Sequence, residues 1–198
     1  MLLSLALGLA LVGATARLAV LHTRIRGLEE LAITDALTGA FNRRHLDASL
    51  AIAVERRRRT GERASLVLFD VDRFKEVNDA IGHAGGDRVL AALAALVTQR
   101  LRRMDLLFRT GGEEFALLLA GARFGDALRV AEDLRARVAE ARLIDERPVS
   151  ISVGVSELGP DQCVGSWLAE TDAALYRAKR AGRNRVAGRC ADPALAAG

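Results

Sequence analysis

The chain has 198 residues, of which 51% are apolar, 27% charged and only 4% aromatic, a balance that can bury one sizeable core plus an appendage and excludes an intrinsically disordered chain. Its two cysteines, Cys163 and Cys190, show no C-x-x-C or Cys/His ligand spacing, which excludes a disulfide scaffold, argues against structural zinc and fits a reducing compartment. The formal net charge of +4 suits an anionic partner, whether nucleotide, nucleic acid or membrane surface, without choosing among them.

Met1 to Ala16 is uncharged and mostly Leu, Ala, Val and Gly, and the apolar character resumes after Arg17. At about 1.5 Å per residue the uninterrupted run is short of a hydrocarbon core of about 30 Å, so residues 1–22 span a membrane only if Arg17 snorkels or the bilayer thins. The competing reading is a cleaved leader ending at Ala14-Thr15-Ala16, although no basic residue precedes the run. If the segment is an anchor, Arg17, Arg24, Arg26, Arg43 and Arg44 on its C-terminal side put the rest of the chain in the cytoplasm, beneath the inner membrane. Leu18, Leu21, Ile25 and Leu28 then follow a coiled-coil seam, which predicts a helical stalk over 23–34 or, equally, an amphipathic lead-in helix.

From Asp35 the pattern is globular. Leu46 to Arg58 reads as a helix running into Arg56–Arg59, and Ala64 to Val71 as a buried strand ending in carboxylates. A helix follows over Gly85–Leu101, with Val89, Leu90, Leu93, Leu96 and Val97 on its apolar face. Leu106–Arg109 and Phe115–Leu119 flank Gly111-Gly112 as a hairpin whose turn carries Glu113 and Glu114. Ala127–Arg142 reads as a helix, Val149–Val155 as a strand, Ser166–Ala181 as the last helix and 190–198 as a disordered tail. This alternation predicts an α/β sandwich with at least one antiparallel pair.

Of the 29 Lys and Arg residues only Lys75 and Lys179 are Lys. Where Arg has replaced Lys almost everywhere, the two survivors mark positions that need a compact point charge, as a phosphate contact does. Asp70 and Asp72 end a buried strand one residue apart, and hard carboxylate oxygens at a strand end suit Mg²⁺ bridged to phosphate, although acidic residues end many strands. Glu113 and Glu114 follow two glycines that let a backbone approach a phosphate closely, although a solvated hairpin tip has the same composition.

Five blocks, taken in order, decide between these readings: Asp35-Ala36-Leu37-Thr38-Gly39 with Asn42-Arg43-Arg44; Asp70-Val71-Asp72-Arg73-Phe74-Lys75 with Asn78-Asp79 and Gly82-His83; Gly86-Asp87; Arg109-Thr110-Gly111-Gly112-Glu113-Glu114-Phe115; and Ala174–Lys179 with Gly182-Arg183-Asn184-Arg185. Together they resemble the GGDEF family of diguanylate cyclases, in its GGEEF variant, over residues 35–189.

The resemblance implies a fold related to the palm of nucleotide cyclases and polymerases, with a central, mostly antiparallel sheet flanked by helices and preceded by an N-terminal helix. It implies a homodimer in which each half holds one GTP with Mg²⁺, Mn²⁺ being an alternative, and each 3′-hydroxyl attacks the opposite α-phosphate to yield cyclic di-GMP and two pyrophosphates. Asp70 and Glu113 match the metal-binding carboxylates, with the Val71 carbonyl as a further ligand and Glu113 also placed to assist deprotonation. Asn78 and Asp87 match the guanine readers. Lys75, Lys179 and Arg183 match phosphate contacts, beside Phe74 and the Gly111-Gly112 turn, and Lys179 counts with Asp70 and Glu113 among the catalytic set. Arg102-Arg103-Met104-Asp105 matches the family's R-x-x-D inhibitory site for cyclic di-GMP, so Arg102 and Asp105 are expected to bind product. Thr110, Ala40 and Thr171 are mild departures that touch no ligand position, and His83 reads as a local hydrogen-bonding residue. Two rivals stand beside this reading. A catalytically inactive relative would bind cyclic di-GMP or GTP, but such relatives lose acidic residues that this chain keeps. A nucleic-acid binder is suggested by the charge and by Arg56–Arg59, but one Trp and one Tyr leave no stacking platform, so no nucleic-acid partner is expected.

Overall fold

The computed structural model describes residues 33–141, 143 and 148–189. The anchor expected over 1–22, nearly all of the stalk over 23–34 and the tail over 190–198 lie outside the described residues. The described unit begins at Thr34.

Five strands form one sheet in the order β2-β3-β1-β4-β5. β1 (Ala64–Val71) takes the centre because its apolar run can be buried on both faces, and only Leu68 is less than fully buried. It pairs antiparallel with β3 (Glu114–Ala120) and β4 (Ile151–Glu157), β3 pairs antiparallel with β2 (Leu106–Gly111), and β5 (Val186–Arg189) joins β4 in parallel. The sheet is therefore mostly antiparallel, as expected, with one parallel edge.

Side-chain alternation along β1 divides the core. Val67, Phe69 and Val71 pack with the apolar faces of α2 (Phe74–Thr98) and α3 (Phe124–Glu140), and Phe69 stacks on Phe115 at 5.4 Å. Leu66 faces the other way with Phe108 and Leu118, against Leu46, Leu50 and Val54 of α1 (Arg43–Thr60) and Trp167 of α4 (Val164–Arg180). α4 lies directly on β4: a Cβ built on Gly154 would sit 2.3 Å from the Leu175 nitrogen and 2.5 Å from the Thr171 carbonyl oxygen.

Local signals set the ends of α1. The Asn42 side chain accepts from the His45 N–H, and Gly61 closes the helix at φ 73° with its N–H on the Arg57 carbonyl. Arg57 also donates to the Gly61 carbonyl at 2.8 Å, so part of the Arg56–Arg59 run serves the helix C-terminus, where cations complement the dipole.

Two expectations need correction and one element was missed. Glu114, expected in the hairpin turn beside Glu113, is the first residue of β3, paired with Asp70. The helix predicted to start at Gly85 starts at Phe74, and Gly82 (φ 73°, ψ 165°) breaks it into two legs. The strand Val186–Arg189 was not expected at all, because four residues that include a glycine show no period of their own and depend on β4 for pairing. α2 is also the one described helix long and apolar enough to cross a membrane, but its apolar residues Val89, Leu90, Leu93 and Val97 are buried against the sheet.

Candidate active site

The C-terminal end of β1 delivers Asp70 to the face covered by α4, and Lys179 in the last turn of α4 meets it there at 2.9 Å. Burial pushes the Asp70 carboxyl up, the Lys179 ammonium pulls it back down, and the nearby charges of Glu113 and Glu114 push it up again. Those two glutamates reach Asp70 because the β1–β3 register pairs Asp70 with Glu114, and the Val71 N–H donates to the Glu113 carbonyl at 3.3 Å. In antiparallel pairing a residue's N–H and C=O share one side, so the Val71 carbonyl is directed toward the same turn.

The turn itself is built by its glycines. Gly111 (φ 153°) and Gly112 (φ 50°) follow a register shift between Arg109 and Gly111, and the Gly112 conformation is one that a side chain would strain. Arg109 then fixes the turn from behind, donating from Nε (3.0 Å) and Nη2 (2.8 Å) to the Gly112 carbonyl. Its Nη1 donates to both Asp35 oxygens, at 3.0 and 3.2 Å. Burial pushes Asp35 up, but hydrogen bonds from Thr38 and Arg109, with the Arg109 charge, outweigh it and hold the carboxyl below its ordinary value. Asp35 and Arg109 were legible as parts of the matched blocks, but their contact was not.

Two carboxylates from a strand end and an adjoining turn, plus a backbone carbonyl directed the same way, make a hard-oxygen donor set that fits a divalent cation such as Mg²⁺. The mutual repulsion at Asp70 is the electrostatic condition that a cation relieves. No cluster of three or more His, Cys, Asp or Glu side chains suited to a metal occurs among the described residues, so the set rests on Asp70, Glu113 and main-chain oxygen.

Beyond β1 the chain turns through Arg73 (φ 55°) into α2. The first N–H groups of a helix have no intrahelical acceptor, so Phe74 and Lys75 offer backbone donors at the positive end of the helix dipole, an anion-binding geometry. The break at Gly82 folds the second leg back on the first. A Cβ on Gly86 would lie 1.9 Å from Asn78 Oδ1 and 3.0 Å from Phe74 Cζ, so only glycine allows this approach. The close contact seats Asn78 of one leg against Gly86 of the other, and the next residue, Asp87, is exposed.

Asp72, one residue beyond Val71, is engaged by its neighbours in the fold. Its Oδ1 accepts from Ser152 Oγ and its Oδ2 from Ser150 Oγ, both at 2.6 Å, and Oδ2 also accepts from the Asn184 N–H at 3.0 Å. It ties the loop that carries Arg183 to the sheet. Arg183 is exposed on that loop.

Arg102 and Asp105 lie apart from this cluster, after the end of α2. The Arg102 N–H donates to Asp105 Oδ2 at 3.0 Å. Burial raises the Asp105 carboxyl, with the Arg102 N–H and charge partly opposing. They border a cavity of about 260 Å³ that Arg100, Arg129 and Asp133 also line, a basic recess with acidic acceptors.

The sequence profile described as "Diguanylate cyclase, GGDEF domain" matches residues 32–185. The Response regulator PleD of Caulobacter vibrioides is 39% identical over 168 residues, which is 82% of this chain and 37% of PleD. Diguanylate cyclase DgcM of Escherichia coli is 40% identical over 159 residues, 80% of this chain and 39% of DgcM. The chain thus spans well under half the length of these curated relatives. Among solved structures, the GGDEF domain of DgcB from Caulobacter crescentus in complex with c-di-GMP superposes with a TM-score of 0.75 at 32% identity, covering 79% of this chain and 95% of that one. The active GGEEF domain of a diguanylate cyclase from Vibrio cholerae gives 0.71 at 36% identity, covering 74% and 96%.

Proposed function

The chain belongs to the GGDEF-domain family of diguanylate cyclases, and from that premise we propose that it condenses two GTP into cyclic di-GMP with release of two pyrophosphates. The observation that carries the reading is the meeting of Asp70, Lys179 and the Gly111–Glu113 turn at one end of the sheet.

In this reading the triphosphate lies along the start of α2, accepting from the Phe74 and Lys75 N–H groups and meeting the Lys75, Lys179 and Arg183 side chains. Asn78 and Asp87 take the guanine edge: an amide and a carboxylate together satisfy its acceptor and donors, as they would not for adenine. Mg²⁺ bound by Asp70, Glu113 and the Val71 carbonyl would supply charge neutralisation at the α-phosphate and a lowered pKa at the 3′-hydroxyl. Glu113 accepts the hydroxyl proton as the new P–O bond forms and the bond to pyrophosphate breaks. Each nucleotide supplies the hydroxyl that attacks the other, so two copies of the chain must face each other. The uncharged run over residues 1–16 supports an N-terminal membrane anchor with the catalytic unit in the cytoplasm.

Incubation of the purified chain with GTP and Mg²⁺ is expected to give cyclic di-GMP and pyrophosphate in a 1:2 ratio by chromatography. Binding of GTP without any product would replace the enzyme reading with that of a receptor module.

The cavity beside Arg102 and Asp105 supports product inhibition, since a guanidinium can grip a phosphate while a carboxylate accepts guanine N–H groups. Arg102→Ala is expected to raise the inhibition constant for cyclic di-GMP at least about tenfold, as loss of a charge-assisted contact does, with initial rates unchanged. Superimposable inhibition curves would remove this site.

A further inference from the structure

The loop Gly182–Arg185 has little packing to hold it. Its residues are exposed, and with Arg73 it borders a cavity of about 430 Å³ instead of resting on the core. Its backbone is also unfavourable: Gly182 has φ 116°, Arg183 φ 62° and Asn184 φ 44°, and a left-handed Arg persists only where its surroundings impose it. Hydrogen bonds fix the two ends, from the Arg183 N–H to the Ala178 carbonyl and from the Val153 N–H to the Arg185 carbonyl.

Asn184 at the middle is gripped from two sides. Asp72 accepts its main-chain N–H, and Arg135 of α3 donates to its side-chain oxygen at 2.9 Å. Asp72 is buried and is itself oriented by Ser150 and Ser152, so it forms the rigid half of the clamp. Arg135 is held in turn by Glu132.

We propose that Asp72 is a positioning residue: with Arg135 it clamps Asn184, holds the loop in its left-handed conformation, and so aims the Arg183 guanidinium at the phosphates of the bound nucleotide. The inference rests on the diguanylate cyclase reading and assigns Asp72 no cation. A carboxamide can do the same work, since its oxygen accepts from Asn184 and Ser150 while its NH₂ donates to the Ser152 hydroxyl.

The test measures GTP turnover by the full chain with inorganic pyrophosphate and guanosine as competing ligands, the first reporting the phosphate side of the site and the second the base side. Asp72→Ala is expected to raise the inhibition constant of pyrophosphate and the KM for GTP about tenfold, the scale of one mis-aimed charge-assisted contact. The guanosine constant stays within about twofold, because nothing on the base side has changed. Asp72→Asn restores wild-type values. In an Arg183→Ala background Asp72→Ala adds nothing further, as expected when one residue acts through another.

An equal rise for guanosine, or additivity with Arg183→Ala, would overturn the proposal. So would loss of turnover in Asp72→Asn accompanied by a raised Mg²⁺ requirement, which would make Asp72 a metal ligand. If Asp72→Ala does not fold, Arg135→Ala carries the test from the surface, with a rise of about fivefold for pyrophosphate alone expected from one lost hydrogen bond and no rise overturning the clamp. A wild-type chain that makes no product would remove the reading beneath the inference, an outcome separate from all of these.

Discussion

Glu113→Gln abolishes cyclic di-GMP formation while leaving the fold intact. The substitution keeps the shape of the turn but removes a negative charge and a proton acceptor from a site where both are used, so kcat is expected to fall at least about 10³-fold. Stability should not fall with it. Glu113 lies on a turn fixed by main-chain bonds and by Arg109, and its charge contributes to the upward push on Asp70. Removing that repulsion leaves the ion pair between Asp70 and Lys179 less opposed, and the variant should melt at or slightly above the wild-type temperature at neutral pH. Thermal unfolding and steady-state turnover on the same preparation check both halves. Turnover within a factor of ten of wild type would mean that the turn carboxylate is outside the chemistry.

Gly154→Ala is expected to lower the melting temperature more than a change of one methyl ordinarily does. The added carbon would lie 2.3 Å from the Leu175 nitrogen, 2.5 Å from the Thr171 carbonyl oxygen and 2.8 Å from the Leu175 Cα. All three are backbone atoms, so no rotamer change can make room and α4 must lift from β4. Overpacking of this kind costs about 3 kcal/mol, which for a domain of this size is a fall of roughly 6–12 °C. Turnover should fall as well at temperatures where the fold survives, because Lys179 rides on the helix that moves and must still reach Asp70. An unchanged melting temperature would mean that α4 is not seated on β4 at this point.

Elements whose reason for existing is local were legible in the sequence. Ala64–Val71 is an apolar run long enough for a central strand, and Gly111-Gly112 between apolar segments could only be a hairpin turn. The first leg of α2 was not legible as part of that helix: Phe74, Val77 and Ile81 form an apolar stripe that packs on the core, but Gly82 interrupts the run, so from sequence the helix reads as beginning only at Gly85. β5 was missed for a related reason, since its partner is a strand some thirty residues away in the chain.

The candidate site divides in the same way. Residue types and spacing pointed to Asp70, Glu113, Lys75 and Lys179, and Asp70, the glutamate turn and Lys179 do converge. They could not reveal that Asp72 is held by Ser150, Ser152 and Asn184, nor that Asp35 and Arg109, 74 residues apart, share two hydrogen bonds. Such contacts depend on which strand lies beside which.

The bend at Gly82 separates two kinds of information in this molecule. Both groups proposed to read the base come from one short continuous stretch, Asn78 to Asp87, folded on itself. The groups proposed to carry out the reaction are gathered from β1, from the β2–β3 turn and from the far end of α4. Nucleobase choice can therefore be altered, copied or kept by a few neighbouring codons, whereas bond-making depends on the whole tertiary arrangement and is the first capacity lost when any distant part drifts. A descendant of this chain would forget how to react well before it forgot which base to hold.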